Sequence, residues 1–461
     1  MDFRGRTGAA RALLMVVVLA VLLVGSVSYI ALSGELQKGA PGSTATGSTS
    51  TTYTVSTTST TYMSSTTTTE VSASATMGRL EGLTVQQYNM TVPAKYQSQV
   101  EQVQAILNQF NASLGTVLLT GAFTHAAELI PADGDQGPKL FDPHNLQGVQ
   151  NNLNVLKAMG VDGVTIAIGF PLLDPSFPQN QQYLQYFEKV VNMSHEAGMT
   201  VDVEAQVLFA NTPYSPVTYD WSGLTFQQFE QGAVAQDNLI CSSVKPDIID
   251  LGVEADTEAG LTGFKQLDTP SGWGSFISFI LNGLDKHECK TAAGAPPWVN
   301  SPTQWMQNFI SNPNLDYVAV HSYPIMSPFL SNLVSIGEYA KANDKQLVFD
   351  EYWDTKALAP TPGTGAAGFG GASSTQPDVF SFWIPTDVQA LELMVKFCHE
   401  YSCAYFSPFP GDYYFFGYLN WTPQLDPQTF FQLHDILNPT ISSNIAAFTI
   451  SLTGEEYAWL S

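Results

Sequence analysis

Asp247-Ile-Ile-Asp-Leu-Gly-Val-Glu254 and Gln346-Leu-Val-Phe-Asp-Glu351 are two short apolar runs, each closed by a glutamate. Both read as buried parallel strands ending on a carboxylate. Nothing local to either strand needs a charge there, and a buried unpaired carboxylate is costly. Two such residues at the C-terminal ends of strands predict one shared site.

Working outward, segments of the same character recur along the chain. In order they are Thr116–Thr120, Gly163–Ile168, Thr200–Ala205, Asp247–Glu254, Thr291–Ala295, Asp316–His321, Gln346–Glu351 and Cys403–Ser407. Amphipathic stretches lie between them, among them Gln147–Met159, Gln181–Ala197, Gly272–Leu284 and Val388–Glu400. Gly160 and Gly198 stand where a helix would stop. Strand–helix alternation predicts an α/β fold with a parallel sheet, and eight strands predict a single closed (β/α)8 (TIM) barrel. An open doubly wound sheet is the rival, but Gly121-Ala-Phe-Thr-His125 after the first strand is no glycine-rich phosphate turn. Parity supports the barrel. Val201, Val203 and Ala205 alternate with Asp202, Glu204 and Gln206, and Ile249, Leu251 and Val253 with Asp250, Gly252 and Glu254. The apolar set suits outer helices, and the small or polar set suits a barrel interior near a site. Gln97–Asn111 reads as a helix ahead of the barrel. Residues 357–376, rich in Gly, Pro, Ser and Thr, read as a long loop over the site or an inert insertion.

The rest of the 461 residues is organised simply. Residues 1–11 carry Arg4, Arg6 and Arg11, and residues 12–32 are almost wholly apolar, about the length of a membrane-spanning helix. Basic residues before that run predict a cytoplasmic N-terminus and a single-pass signal anchor. A cleaved signal peptide is the rival, but its apolar core is normally shorter and no clean cleavage site follows. Residues 33–76 are dominated by Ser and Thr, too polar to offset the entropy of ordering, and read as a disordered stalk or linker on the outer side. Residues 77–461 form the expected barrel domain.

A net charge of −24 argues against a nucleic-acid partner. No arginine follows Arg79, which leaves the barrel without the usual fork for phosphate or carboxylate groups and points to a neutral substrate. Aromatic residues crowd loop-like segments such as Gly411–Trp421, as stacking on sugar faces requires. Four cysteines on the outer side predict two disulfides, Cys241–Cys289 and Cys398–Cys403. Sequons at Asn89, Asn111, Asn192 and Asn420 are compatible with a glycoprotein. No zinc spacing occurs, and a metal set from Asp202, Glu204, His321 and Asp350 has no tight spacing behind it, so neither metal nor cofactor is expected.

Paired carboxylates suit glycoside hydrolysis, in which one attacks or activates water and the other protonates the leaving oxygen. Glu254 in Leu251-Gly-Val-Glu-Ala-Asp256, Glu351 in Phe349-Asp-Glu-Tyr-Trp353 and the run His321-Ser-Tyr323 resemble the (β/α)8 retaining glycoside hydrolases with catalytic glutamates at the ends of strands four and seven, the clan A-like superfamily. The resemblance covers most of residues 115–439. It implies Glu254 as acid/base, Glu351 as nucleophile, Tyr323 as a hydrogen-bond donor to the nucleophile and His321 in the sugar site. Further expected substrate contacts are Glu204, Gln206, Asp256, Trp353, Tyr405 and Trp421. The sequence departs from the clan at Val253, where an Asn normally binds the 2-hydroxyl, and in having no Arg near Glu351. Gln206 and Lys356 are candidate substitutes.

The expectation is therefore an extracellular, membrane-tethered glycoside hydrolase, monomeric, acting with retention on a neutral β-linked poly- or oligosaccharide. A non-catalytic glycan-binding barrel is the first rival. A solute-binding receptor of an importer is the second, and it predicts two hinged lobes instead of one barrel.

Overall fold

A computed structural model describes residues 82–117, 122–356, 378–409 and 411–461. Eight parallel strands close into a barrel in simple sequence order: β1 (Thr124–Glu128), β2 (Gly163–Ala167), β3 (Thr200–Glu204), β4 (Ile248–Asp250), β5 (Lys290–Gly294), β6 (Tyr317–Pro324), β7 (Gln346–Thr355) and β8 (Cys403–Pro408). The seam closes where Thr124 and His125 of β1 pair with Tyr405 and Phe406 of β8. One closed barrel leaves no place for the two lobes of a solute receptor.

The helices are α1 (Gln97–Leu114), α2 (Asn145–Ala158), α3 (Asn180–Glu196), α4 (Phe226–Leu239), α5 (Ala255–Thr262), α6 (Pro270–Gly283), α7 (Pro302–Met306), α8 (Ser327–Ala342), α9 (Ile384–Tyr401), α10 (Gly411–Phe416), α11 (Phe430–Ala446) and α12 (Leu452–Leu460). Gly160 and Gly198, at φ of 85° and 77°, end the segments of α2 and α3 as expected. In the last helix Tyr457 reaches the barrel seam, its Oη 2.6 Å from the carbonyl oxygen of Ala126 and 3.1 Å from that of Phe406.

Strand parity builds two cores. Val201, Val203, Ile249 and Leu251 face the outer helices and join the main hydrophobic core. Ala126, Ile248, Ala292, Ala319, Val348 and Tyr405 form a second cluster, the plug that fills the barrel interior. Three small alanines share that space with one large tyrosine.

The structure corrects several expectations. The first strand is Thr124–Glu128, not Thr116–Thr120, part of which lies outside the described residues. Its Thr-His-Ala-Ala-Glu sequence lacks an apolar run because Ala126 packs in the crowded plug. Strand β4 stops at Asp250. Gly252, at φ 143°, turns the chain out of the sheet, so Val253 packs in the inner plug and Glu254 caps α5. The four cysteines are buried free thiols, not disulfides. The expected partners do touch, with Cys241 hydrogen-bonded to Cys289 and Cys398 to Cys403. The partner thiol and burial hold Cys241 high, and burial and its partner do the same for Cys398, which disfavours the thiolate needed for exchange. No helix among the described residues is long and apolar enough to cross a membrane. The anchor at 12–32, the stalk at 33–76 and the loop at 357–376 lie outside the described residues.

Candidate active site

The barrel mouth gathers side chains from four strand ends. Glu254 sits just past β4 at the start of α5, and its backbone N–H faces Gln206 Oε1 beyond β3 at 3.4 Å. His321 and Tyr323, two residues apart on β6, point to the same side. Glu351 comes from β7, paired in register with His321.

A bulge explains how β7 delivers two acids at once. Ala319 pairs with Val348 but His321 pairs with Glu351, so β7 carries one residue more than β6 over that interval. The same extra residue appears against β8, between Phe349 and Tyr352. Such a bulge re-aims side chains beside a site. Asp350 and Glu351 are sequence neighbours, yet both approach the His321 ring.

His321 is the hub. Its Nδ1 lies 3.0 Å from Glu254 Oε1 and 3.4 Å from Glu351 Oε2. Its Nε2 lies 3.3 Å from the Gln206 amide nitrogen and 3.5 Å from Asp350 Oδ1. Tyr323 donates its hydroxyl proton to Glu351 Oε2, and its oxygen is 3.3 Å from His321 Nδ1. One carboxylate oxygen of Glu254 and one of Glu351 stand within 4.8 Å of each other and of the ring nitrogen.

Burial sets the electrostatics. It lifts Glu351 to about 7; the His321 charge opposes this and the Glu254 charge adds to it. Glu204 is pushed well above the ordinary carboxyl range by burial and by the charges of Glu351 and Asp350. Burial works against a charge on His321, but the charges of Glu351 and Asp350 hold it well above its ordinary value. Both shifts favour the protonated forms of the imidazole and of Glu204 beside Glu351.

The cleft above is lined by Glu204, Gln206, Glu254, His321, Tyr323, Glu351 and Trp353, seven of the ten residues expected at the site. The other three stand elsewhere. Asp256 accepts from Trp298 Nε1 at 3.1 and 3.2 Å, and Trp298 stacks on Tyr323 at 5.1 Å, so Asp256 acts at one remove. Tyr405 is sealed in the plug, its Oη 3.1 Å from Thr165 Oγ1. Trp421 donates to Asp426 Oδ1 at 3.0 Å, outside the cleft. Lys356 is likewise no substitute donor, being wholly buried against Asp354 and Asp387.

Sequence reading missed Glu128, Asp133, Asp135, Phe209, Tyr214 and Phe409 in the cleft wall. Glu128 closes β1 after Ala126 and Ala127, and the rule that found Glu351, a carboxylate ending an apolar run, finds it once β1 is placed correctly. Asp133 and Asp135 flank Gly134, and the segment resembles an ordinary polar turn. Burial raises Asp133 to about 6, and burial and the Asp133 charge raise Asp135 well above its usual range. Two sets of donors among the described residues are compact enough for a cation, Glu204 with His321 and Asp350, and Glu254 with His321 and Glu351, the atoms of each set lying within 4.8 Å of one another.

No family model and no curated protein matches the chain by sequence. Its fold is similar to solved glycoside hydrolase barrels. One is the exo-β-1,4-mannosidase Op5Man5 from Opitutaceae bacterium strain TAV5, at 13% identity and TM-score 0.43, covering 71% of this chain and 60% of that one. A second is GH5_18 from Streptomyces cattleya in complex with GlcNAc, at 12% identity and TM-score 0.44, covering 74% and 80%. A third is Thermotoga maritima Cel5A in complex with mannotriose, at 9% identity and TM-score 0.39, covering 70% and 97%.

Proposed function

We propose that this chain is a membrane-tethered extracellular glycoside hydrolase that cleaves a neutral β-linked poly- or oligosaccharide by double displacement, with retention. The observation that carries the reading is the pair Glu254 and Glu351, with oxygens within 4.8 Å across the barrel mouth. Carboxyl groups about 5–5.5 Å apart suit direct attack on the sugar, whereas roughly 6.5–9.5 Å is needed to admit the water of an inverting enzyme.

In this mechanism Glu351 attacks the anomeric carbon while Glu254 gives its proton to the departing glycosidic oxygen. A glycosyl ester on Glu351 results. Glu254, now ionised, takes a proton from water as that water attacks the same carbon and releases Glu351. Tyr323 holds one Glu351 oxygen and so fixes the line of attack. His321 touches both carboxylates and steadies the charge that moves between them. Gln206, beside the Glu254 backbone, offers the amide that Val253 cannot.

Among the described residues no lysine or arginine lines the cleft, which suits an uncharged sugar, and Phe209, Tyr214, Trp353 and Phe409 offer stacking faces. The apolar run at 12–32 and the stalk after it support a monomeric barrel held off the cell surface, where it meets polymer too large to import.

The test is reducing-end release from neutral β-glucans, mannans, xylans and galactans, with Glu351→Gln in parallel. The expected result is activity on one polymer that the substitution abolishes, with the β-anomer as first product by NMR. An α-anomer as first product would refute retention. Binding without release from any polymer would leave a glycan-binding barrel, a reading favoured by the apolar Val253 beside Glu254.

A further inference from the structure

We propose that the floor of the cleft is a divalent transition-metal site, with His321 Nε2 and one carboxylate oxygen each from Glu204 and Asp350 as its protein ligands. One donor atom of each residue lies within 4.8 Å of those of the other two, His321 Nε2 is 3.5 Å from Asp350 Oδ1, and all three residues are buried. An imidazole with two carboxylates suits Mn²⁺ or Zn²⁺ better than Mg²⁺ or Ca²⁺, which favour oxygen alone.

The state of the ligands is a second, independent observation. Asp350 is completely buried, and neither of its oxygens accepts a hydrogen bond. Its nearest donor, His321 Nε2 at 3.5 Å, is too far for a sound one. Glu204 Oε1 is also without a partner, and at 5% exposure it has little access to water. Native proteins rarely leave buried carboxylate oxygens unsatisfied. The β7 bulge makes this sharper, because a regular strand would turn Asp350 away from the ring that Glu351 faces.

The other side of His321 fits the same reading. A metal-bound histidine usually donates its second ring N–H to a carboxylate, which fixes the ring and its tautomer. Here Nδ1 has Glu254 Oε1 at 3.0 Å, and Nε2 is turned to Asp350. Gln206 Nε2, at 3.3 Å from the same Nε2, would have to yield to an ion.

Charge balance points the same way. Asp202 and Asp250, on the neighbouring strands β3 and β4, are both wholly buried as well. Neither oxygen of Asp202 has a hydrogen-bond partner of good geometry. Among the described residues no lysine or arginine lines the cleft beside His321. A divalent ion at its Nε2 would neutralise the cluster and lock the ring toward Glu254.

The experiment needs no substrate, so its outcome is independent of the glycosidase reading. The purified full chain is stripped with a chelator and titrated with Mn²⁺, Zn²⁺ and Mg²⁺ by calorimetry, with Tm followed in parallel. The expected result is one Mn²⁺ or Zn²⁺ per chain, Mg²⁺ at least tenfold weaker, and a higher Tm with the ion. Asp350→Asn and Glu204→Gln should each weaken binding tenfold or more. Each keeps the size and shape of the side chain it replaces, so neither is expected to unfold the barrel. The wild-type chain supplies a readout without any variant, since bound Mn²⁺ should show spin-echo modulation from a histidine nitrogen. A chain that binds neither Mn²⁺ nor Zn²⁺ would overturn the proposal and leave shared protons as the solution for these acids. Stoichiometric binding that lacks the nitrogen signal, or survives both substitutions, would place the ion elsewhere and overturn it equally.

Discussion

Strand β7 carries two buried acidic clusters only a few residues apart. At its middle, Asp350 and Glu351 meet Glu204 and Glu254 around His321. At its end, Asp354 meets Asp387 and Asp378 around Lys356. The second cluster is closed. Lys356 Nζ is 2.7 Å from Asp387 and 3.0 Å from Asp354, and its backbone N–H donates to Asp378 at 3.1 Å. Thr355 adds a hydroxyl to Asp378 at 2.9 Å, and Tyr418 adds one to Asp387 at 2.8 Å. Rings of Tyr414 and Trp383 lie 5.4 and 5.7 Å from the ammonium. The first cluster is open to the cleft, and its acids outnumber the one histidine. Burial of charge thus serves two ends on one strand. A permanent cation within 3.0 Å of two acids builds structure, whereas a cluster open to a cleft holds groups whose protons can move.

The sharpest way to break this contrast is to neutralise one member of each cluster. Glu254→Gln is expected to lower kcat by 10²–10⁴-fold, the usual share of a general acid/base, with Tm unchanged or higher. The measurement is turnover on the active polymer beside a thermal melt. Loss of stability without loss of turnover would make Glu254 a structural carboxylate. Lys356→Met is expected to do the reverse to stability, costing about 3–5 kcal/mol because it leaves three buried acids without their cation. Chemical denaturation would show it as a lower midpoint, and adding Asp387→Asn should recover part of the loss. A Lys356→Met barrel as stable as the parent would mean that the acids there are already protonated.

Legibility in the sequence follows the same division. The barrel could be read because seven of its strands carry apolar runs and because Gly160 and Gly198 mark helix ends. β1 was misplaced because its inward residues are small, so packing shaped it more than propensity. Glu254 and Glu351 stood out as charges closing apolar runs, and His321 and Tyr323 only through the resemblance of the run His321-Ser-Tyr323 to a known glycosidase motif. Asp350 did not, because alternation turns it away from Glu351 and only the bulge, a feature of strand pairing, brings both inward. Tyr405 and Trp421 look like any aromatic residue near a strand end. Whether such a ring faces a cleft, a plug or a loop is decided by register, which one sequence does not specify.

Asp256 offers the finest test, since it belongs to the cleft side of the comparison but is one contact removed from it. Burial raises it to about 6, the Glu254 charge adds to this, and the N–H of Trp298 opposes both. The folded value lies above the ordinary 3.8, so the native state binds the proton more tightly than the unfolded chain. Its contribution to stability is fully present below about pH 3.8 and is lost as pH rises through about 6. At about 1.36 kcal/mol per unit, the loss is at most about 3 kcal/mol. Asp256→Asn keeps an oxygen for Trp298 but cannot titrate. The expected outcome is a flatter decline of stability between pH 4 and 6.5, and a slightly higher Tm at pH 7, with kcat reduced far less than in Glu254→Gln. An unchanged slope together with a lower Tm would show that the carboxylate is ionised and usefully paired. Asp256 would then resemble the acids around Lys356 more than those around His321, and the boundary between the two clusters would move to the Trp298 contact.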